Sequence, residues 1–434
     1  MVTSEQIKEA IKKHKLELPR LQKLYNYYIG KHDILNRKLP DPQKPNNKIV
    51  TAYPTLIIDT TVGYFASKPL SYISKSNNQN FLSDLQRVFY LNDEEDINAE
   101  IVKNFSIYGK TYELYYIDQA GHTRFNHYSP IEMYVEKDSK QNVLFGIRYW
   151  EDRIDNNKIT KVEAYDHEGI YYYVSNGDSF ILDPNEQNKE HYFGEVPITI
   201  YVNNEEQIGD FEQFIPMIDS IEKMLSDSSN ELESWVNAYL VLAGHEGTQP
   251  EDLQKMRQDG VLLLENIDQA KFLTKEANVE FQNNFFETID KLIHMHSNTP
   301  KLTSEDFSSN LSGVALGFKI FGLESKSMVK ERKMEKALRK RIRLITTILN
   351  KQGKEYEPFD IRFNFVRNLP QNEAEVTDQM TKLVNMVDLE TLLSWHPRIQ
   401  EPAQILKKIN EQKDSIDLNN VEQFQQGTNN GQSS

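Results

Sequence analysis

The chain has 434 residues, 38% hydrophobic and 26% charged, with no cysteine, which excludes disulfide frameworks, thiolate zinc sites and cysteine nucleophiles. Lys and Arg number 50 against 65 Asp and Glu, a formal net charge of -15, so the surface repels phosphate and disfavours a tight, nonspecific nucleic-acid clamp. The most compact apolar run, 239–244, falls far short of the ~20 residues that cross a bilayer, and residues 1–10 hold no apolar run of a secretory signal.

In chain order, residues 8–28 place Ile11, Leu16, Leu21, Leu24 and Tyr25 at a rough helical period interrupted by Pro19, which predicts a helical arm. Pro40, Pro42 and Pro45 make 37–48 an extended linker, and 50–65 reads as a short helix ahead of a strand. From 101 to 202 the texture changes to short aromatic and β-branched runs at 112–117, 131–135, 143–150, 159–165, 170–174 and 198–202. Bounded by Gly, Asn or Asp, they predict antiparallel hairpins, and no helix-length segment separates them as a doubly wound nucleotide-binding sheet requires.

After Gly209 the pattern becomes helical. Phe211, Phe214, Ile215, Ile218, Ile221 and Leu225 keep an i, i+3, i+4 rhythm that Leu232, Trp235, Val236, Tyr239 and Leu240 continue, which predicts one long helix. A second spans 279–297. Between them, 244–277 holds a charged helical piece at 251–258 and two strands at 261–264 and 270–273, a small α/β module at the end of a two-helix stalk. A polar stretch, 298–312, leads into a helix over 314–350, about 55 Å long at 1.5 Å per residue, with Met334, Leu338, Ile342, Ile345 and Leu349 as its buried stripe. A strand at 361–366 and helices at 373–387, 389–394 and 403–411 follow, and the Asn-, Gln-, Gly- and Ser-rich end is expected to be disordered.

Few residues suggest chemistry. Gly109-Lys110-Thr111 has the ending of a phosphate loop, but Asn104 stands where the loop's first glycine belongs and the segment runs into a strand, so a turn entering a hairpin fits better. His294 and His296 lie two apart on a helix and point to different faces, whereas a shared metal wants i, i+4. The run Asp93 to Asp96 lacks the glycine of a calcium loop and reads as a solvated helix start. Within 326–343, nine basic residues (Lys326, Lys330, Arg332, Lys333, Lys336, Arg339, Lys340, Arg341 and Arg343) face only Glu331 and Glu335. DNA phosphate contact, pairing with an acidic neighbouring subunit and an ordinary solvated face all remain open for this segment.

Several short segments in fixed order resemble one family. They are Tyr27-Tyr28-Ile29-Gly30, Asn46 to Val50, Gly63 to Pro69, Leu225-Ser226-Asp227 followed by Trp235 to Leu240, and Ser312 to Leu316. Together they resemble the portal proteins of tailed bacteriophages with long noncontractile tails, although Ser67 stands where relatives often have glycine. The resemblance implies an α+β portal fold with a hairpin-rich wing, a two-helix stem, a small α/β clip, a long wing or tunnel helix and a short helical crown. Mapped onto this chain, it implies a helical arm and wing over 1–208, a first stem helix over 209–243, the clip over 244–277 and a second stem helix over 278–297. A tunnel loop over 298–313, the long helix over 314–352, a strand and crown over 353–412 and a disordered tail over 413–434 complete the mapping.

The same resemblance implies a homo-oligomeric ring, usually a dodecamer, at one capsid vertex of the virion, assembled in the host cytoplasm. Double-stranded DNA would be packaged and ejected through it without sequence specificity. The expected partners are the terminase large subunit, a head-tail adaptor, and the major capsid and scaffold proteins, with no membrane, catalytic residue, metal or cofactor. Lys301, Thr303, Ser304, Ser308, Ser309 and Asn310 are expected to touch the DNA backbone. Gln249, Glu251, Asp252, Lys255 and Arg257 are expected to face adaptor or terminase, and Lys330, Lys333, Lys336, Arg339, Lys340 and Arg343 a neighbouring subunit or DNA. A DNA-packaging ATPase or a capsid scaffold without a channel is the alternative.

Overall fold

A computed structural model describes residues 1–42, 44–154, 157–177, 179–236, 240–243, 261–264, 279–301, 313–368, 373–395, 399, 405–406 and 408–412. The chain divides into two compact units: residues 1–301 with 320–368, and residues 302–319 with 369–434.

In the first unit, helix α1 (Ser4–Tyr28) begins with a capping box in which Thr3 and Gln6 satisfy each other's backbone amides. Pro19 sits inside α1 without ending it, a correction to the interrupted arm. Ile7, Ala10, Ile11, Leu21, Leu24 and Tyr27 are its buried face, whereas Leu16 is 77% exposed. The first half packs on a sheet and the second on other helices, so α1 belongs to the body of the unit.

Helix α2 (Tyr53–Phe65), strand β1 (Ser71–Ser74), helix α3 (Gln79–Tyr90) and helix α4 (Glu94–Tyr108) lead to a run of strands. β2 (Lys110–Ile117), β3 (Thr123–Tyr128), β4 (Met133–Lys137), β5 (Val143–Ile154), β6 (Asn157–Tyr165), β7 (Gly169–Asn176), β8 (Ser179–Leu182), β9 (Lys189–Glu190) and β10 (Ile198–Val202) pair antiparallel, as the hairpin reading expected. They form two sheets, β10-β2-β3 and β4-β5-β6-β7-β8, with β9 also on β7. Gly109 joins α4 to β2 at φ +87, and a Cβ there would lie 1.9 Å from the Gln207 carbonyl oxygen, so only glycine fits this turn.

Helix α5 (Ile215–Val236) ends earlier than expected: Leu240–Ala243 is strand β11, paired in parallel with β12 (Val261–Leu264). The expected strand 270–273 and helical piece 251–258 lie outside the described residues. Helix α6 (Val279–Ser297) has the predicted bounds, and its Ile293, Ile289 and Phe286 share a core with Ile215, Ile218, Ile221 and Leu225 of α5. The last half of α6 thus meets the first half of α5, the pairing an antiparallel return requires.

Helix α7 (Gly313–Lys351) is the long helix, and all five expected stripe residues are buried. They close a core with α3, α4, β2 and β3. Strand β13 (Ile361–Asn364) pairs antiparallel with β1. In the second unit, helices α8 (Glu373–Leu383) and α9 (Leu389–Trp395) are short, with Leu392 and Leu393 buried; the helix expected at 403–411 is described only in part, and the tail 413–434 lies outside the described residues.

Candidate functional site

The basic helix is the part of the expected site that the structure describes fully, and it divides its charge: Lys330 and Arg341 are buried, whereas Arg332, Lys336, Arg339 and Arg343 are exposed. Arg341 is completely buried and donates through Nε and Nη2 to both oxygens of Glu113 on β2, at 3.1 and 2.7 Å. Its Nη1 reaches Glu94 Oε1 at 3.1 Å and Asn98 Oδ1 at 2.8 Å on α4. The hydroxyls of Tyr115 and Tyr201 donate to Glu113, that of Tyr72 donates to Glu94, and the guanidinium lies 5.0 Å from the Phe125 ring centre. Burial pushes the Glu94 carboxyl up despite Arg341 beside it. Glu94 is therefore no part of a solvated helix start, a correction; Glu95 and Asp96 are exposed as expected.

Three turns earlier on the same buried side, Lys330 is 1% exposed and holds Asp210 Oδ2 at 2.8 Å, with Ser106 Oγ at 3.0 Å and Asn203 as further partners. Against the upward pull of burial, Lys326 and Lys330 hold the Asp210 carboxyl down to about 2. Burial in turn pulls the Lys330 ammonium down to about 8, against the raising effect of Asp210.

The remaining basic candidates divide the same way. Lys340 donates to the Ile198 carbonyl at 2.8 Å and lies 3.7 Å from Glu195; burial lowers it to about 8. Arg343 forks onto both oxygens of Glu195 at 2.6 and 2.8 Å. Lys333 pairs with Glu205, and Arg339 with Glu335 at 2.5 Å along the helix. Lys336 is exposed and, among the described residues, makes no ion pair. For Lys330 and Lys340 the expected contact with DNA or a neighbouring subunit is corrected: their charges are consumed in fixing α7 to the body.

Lys301 lies at the start of the expected tunnel loop. It is 56% exposed and its Nζ holds Asp290 Oδ2 at 2.8 Å, while Tyr53 donates to Asp290 Oδ1 at 2.7 Å. The last turns of α6 and residues 299–301 line a cleft of about 710 Å³ there. Thr303, Ser304, Ser308, Ser309 and Asn310, and the clip candidates Gln249, Glu251, Asp252, Lys255 and Arg257, lie outside the described residues.

Sequence reasoning missed a polar ladder along α5. Tyr27 donates to Asp219 at 2.6 Å, His32 Nδ1 meets Glu222 Oε1 at 2.6 Å, and the Thr51 amide and hydroxyl donate to the same oxygen at 2.8 and 2.9 Å. Further along, the Ile49 amide donates to Ser226 Oγ, Arg37 pairs with Asp227, and Asn47 reaches Asn230 and Glu233. Residues 27–51, the proline-rich linker among them, thus strap about 20 Å of the helix. The strap's signal in the sequence was the spacing Asp219, Glu222, Ser226, Asn230, Glu233, one polar face beside the apolar one.

Gly109-Lys110-Thr111 sits at the C-terminus of α4, where the Gly109 amide donates back to the Phe105 carbonyl at 2.8 Å; a phosphate loop needs the opposite end of a helix. Among the described residues, no helix is long and apolar enough to cross a membrane.

Comparison with known proteins places the chain. Residues 7–417 match the model of the family described as phage portal protein, SPP1 Gp6-like. The portal protein of Bacillus phage SPP1 is 24% identical over 400 residues, covering 88% of this chain and 79% of that one. The portal protein of Clostridium phage phiCD119 is 23% identical, covering 91% and 94%. A chain in a solved structure described as the neck of an empty GTA particle, computed with C6 symmetry, superposes with a TM-score of 0.45 at 8% identity, covering 80% of this chain and 90% of that one. With the family model spanning nearly the whole sequence, the chain belongs to the SPP1 Gp6-like family of phage portal proteins.

Proposed function

We propose that copies of this chain form a ring at one capsid vertex of a phage particle, through which double-stranded DNA is packaged and ejected. The observation that carries this is the family match over residues 7–417, in a family that is structural rather than enzymatic. In this reading α5 and α6 are the stem, the β11/β12 module is the clip that receives the terminase large subunit and then the head-tail adaptor, and the hairpin sheets are the wing. Gln249, Glu251, Asp252, Lys255 and Arg257 would meet those partners. Lys301 with Thr303, Ser304, Ser308, Ser309 and Asn310 would line the tunnel and touch phosphates without reading bases. The net charge of -15 suits a channel, because adhesion to DNA would stall its passage.

Electron microscopy of the purified chain tests the reading: rings with a central hole are expected, and a persistent monomer at every concentration would overturn it. The packaging-ATPase alternative would instead show ATP turnover that survives repurification, and a channel-free scaffold would give assemblies with no hole.

A further inference from the structure

The exposed side of α7 and the start of α4 carry opposite characters. On α7, Phe321, Met328, Arg332, Lys336 and Arg339 fall on one exposed stripe at 100° per residue, apolar at its beginning and cationic at its end. Phe321 is 69% and Met328 47% exposed, and Arg332 and Lys336 make no ion pair among the described residues. Between β1, α3 and the first turn of α4 lies a cleft of about 720 Å³. Its walls are Leu82, Phe89 and Tyr72, Tyr90 stands 86% exposed at its edge, and Glu95 and Asp96 form an acidic rim. The cleft has room for several inserted side chains, and its rim is opposite in sign to the stripe.

One chain cannot bring the two together. Arg341 leaves α7 about 180° around the helix from the stripe and reaches Glu94, which lines the cleft, so the cleft lies beneath the buried side of α7 while the stripe looks away from it. Two complementary surfaces facing apart on one subunit make a head-to-tail contact, which repeats from copy to copy and closes as a ring when the rotation allows.

We propose that in the assembled protein the acidic cleft of one copy receives the Met328, Arg332 and Lys336 face of α7 from the next copy. This rests on the ring reading above and names the surfaces that build the ring. Met328 enters between Phe89 and Tyr90, and Arg332 and Lys336 sit over Glu95 and Asp96, which have no other cation among the described residues.

The test is a charge exchange on the full-length chain. Arg332→Glu with Lys336→Glu, and separately Glu95→Lys with Asp96→Lys, should each raise the concentration for half-assembly by about tenfold or more, read by sedimentation velocity. All four substitutions together should restore rings, and circular dichroism should be the same throughout. Because the chain lacks cysteine, Met328→Cys with Tyr90→Cys should give a ladder of covalent multimers on oxidation, and neither substitution alone should. Rings that survive both reversals, or a four-fold variant that stays dispersed without a ladder in the cysteine pair, overturn the inference and leave the ring reading standing. Wild-type protein that forms no ring removes both. Reversals at Glu95 and Asp96 that block particle assembly while rings persist assign the cleft to a different protein and overturn it too.

Discussion

Two long helices of this chain are fixed by polar contacts, in opposite ways. α7 is held by charges driven fully inside: Arg341 between Glu113 and Glu94, and Lys330 on Asp210, none of them more than 8% exposed. α5 is held by the strap of residues 27–51, whose contacts fall one by one along the helix, from the fully buried His32–Glu222 pair to the exposed Asn47–Glu233 one. A desolvated cluster is all-or-none, because removing one partner strands the rest without water or counter-charge. A ladder of separate contacts yields a rung at a time. α7 is therefore committed to the body, and α5, the proposed stem, is fastened by links that can be released singly.

The sharpest way to break that comparison is at Arg341. Arg341→Met leaves Glu113 and Glu94 buried without their cation and should cost about 3–5 kcal/mol in urea unfolding, the loss typical of a broken buried pair. Arg341→Lys keeps the charge but cannot fork onto Glu113, and should fall between. A loss under about 1 kcal/mol for the methionine variant would mean that apolar packing, with Leu338, Ile342 and Ile345, holds α7 unaided.

The second variant in order of effect is Lys330→Met, at about 2–3 kcal/mol, smaller because Lys326 still stands 3.3 Å from Asp210. Adding Asp210→Leu should recover more than half of the loss, since a buried pair near break-even is missed less than either half of it alone. If the double variant is worse than the single one, the Asp210 side-chain contacts to Asn203 and Lys326 carry the site and its pair with Lys330 does not.

Much of this architecture was legible and the rest had physical reasons to hide. The stripe of α7, the bounds of α6 and the hairpin texture follow from apolar periods long enough to be unambiguous. Leu240–Ala243 was read as helix because a four-residue apolar run satisfies either period, and only pairing with Val261–Leu264 decides for strand. β3 was missed because Thr123, Arg124, Asn126 and His127 give it little apolar signal; its one deep anchor is Phe125. Within the basic run, charge counting treated nine residues alike. Helical phase separates them: Arg341 and Lys330 fall on the side of Leu338 and Met334, whereas Arg332, Lys336 and Arg339 fall opposite. The partners that make the inward ones tolerable, Glu113 and Asp210, are more than 100 residues away in sequence, and no local pattern announces them.

The smallest effect belongs to the ladder, and it depends on pH. His32 has an acceptor at each ring nitrogen, Glu222 Oε1 at Nδ1 and the Tyr27 carbonyl at Nε2, so both nitrogens must carry protons and the ring is an imidazolium. Burial pulls its pKa down, but the Glu222 hydrogen bond and charge and the Tyr27 carbonyl carry it above the ordinary value of 6.5. Of the other groups facing it, burial and Asp219 push the Tyr27 phenol further up, and Lys23 holds Asp33 below its usual range, so neither titrates near neutrality. A group whose pKa is raised by folding stabilises fully below its unfolded value and stops doing so as pH climbs through the folded one. Between pH 6 and pH 9 the wild type should therefore lose stability that His32→Gln does not lose. Urea midpoints at the two pH values read the difference directly. Equal losses in both proteins would show that the strap does not depend on the charge of His32, and that the rungs at Ser226, Asp227 and Asn230 hold α5 on their own.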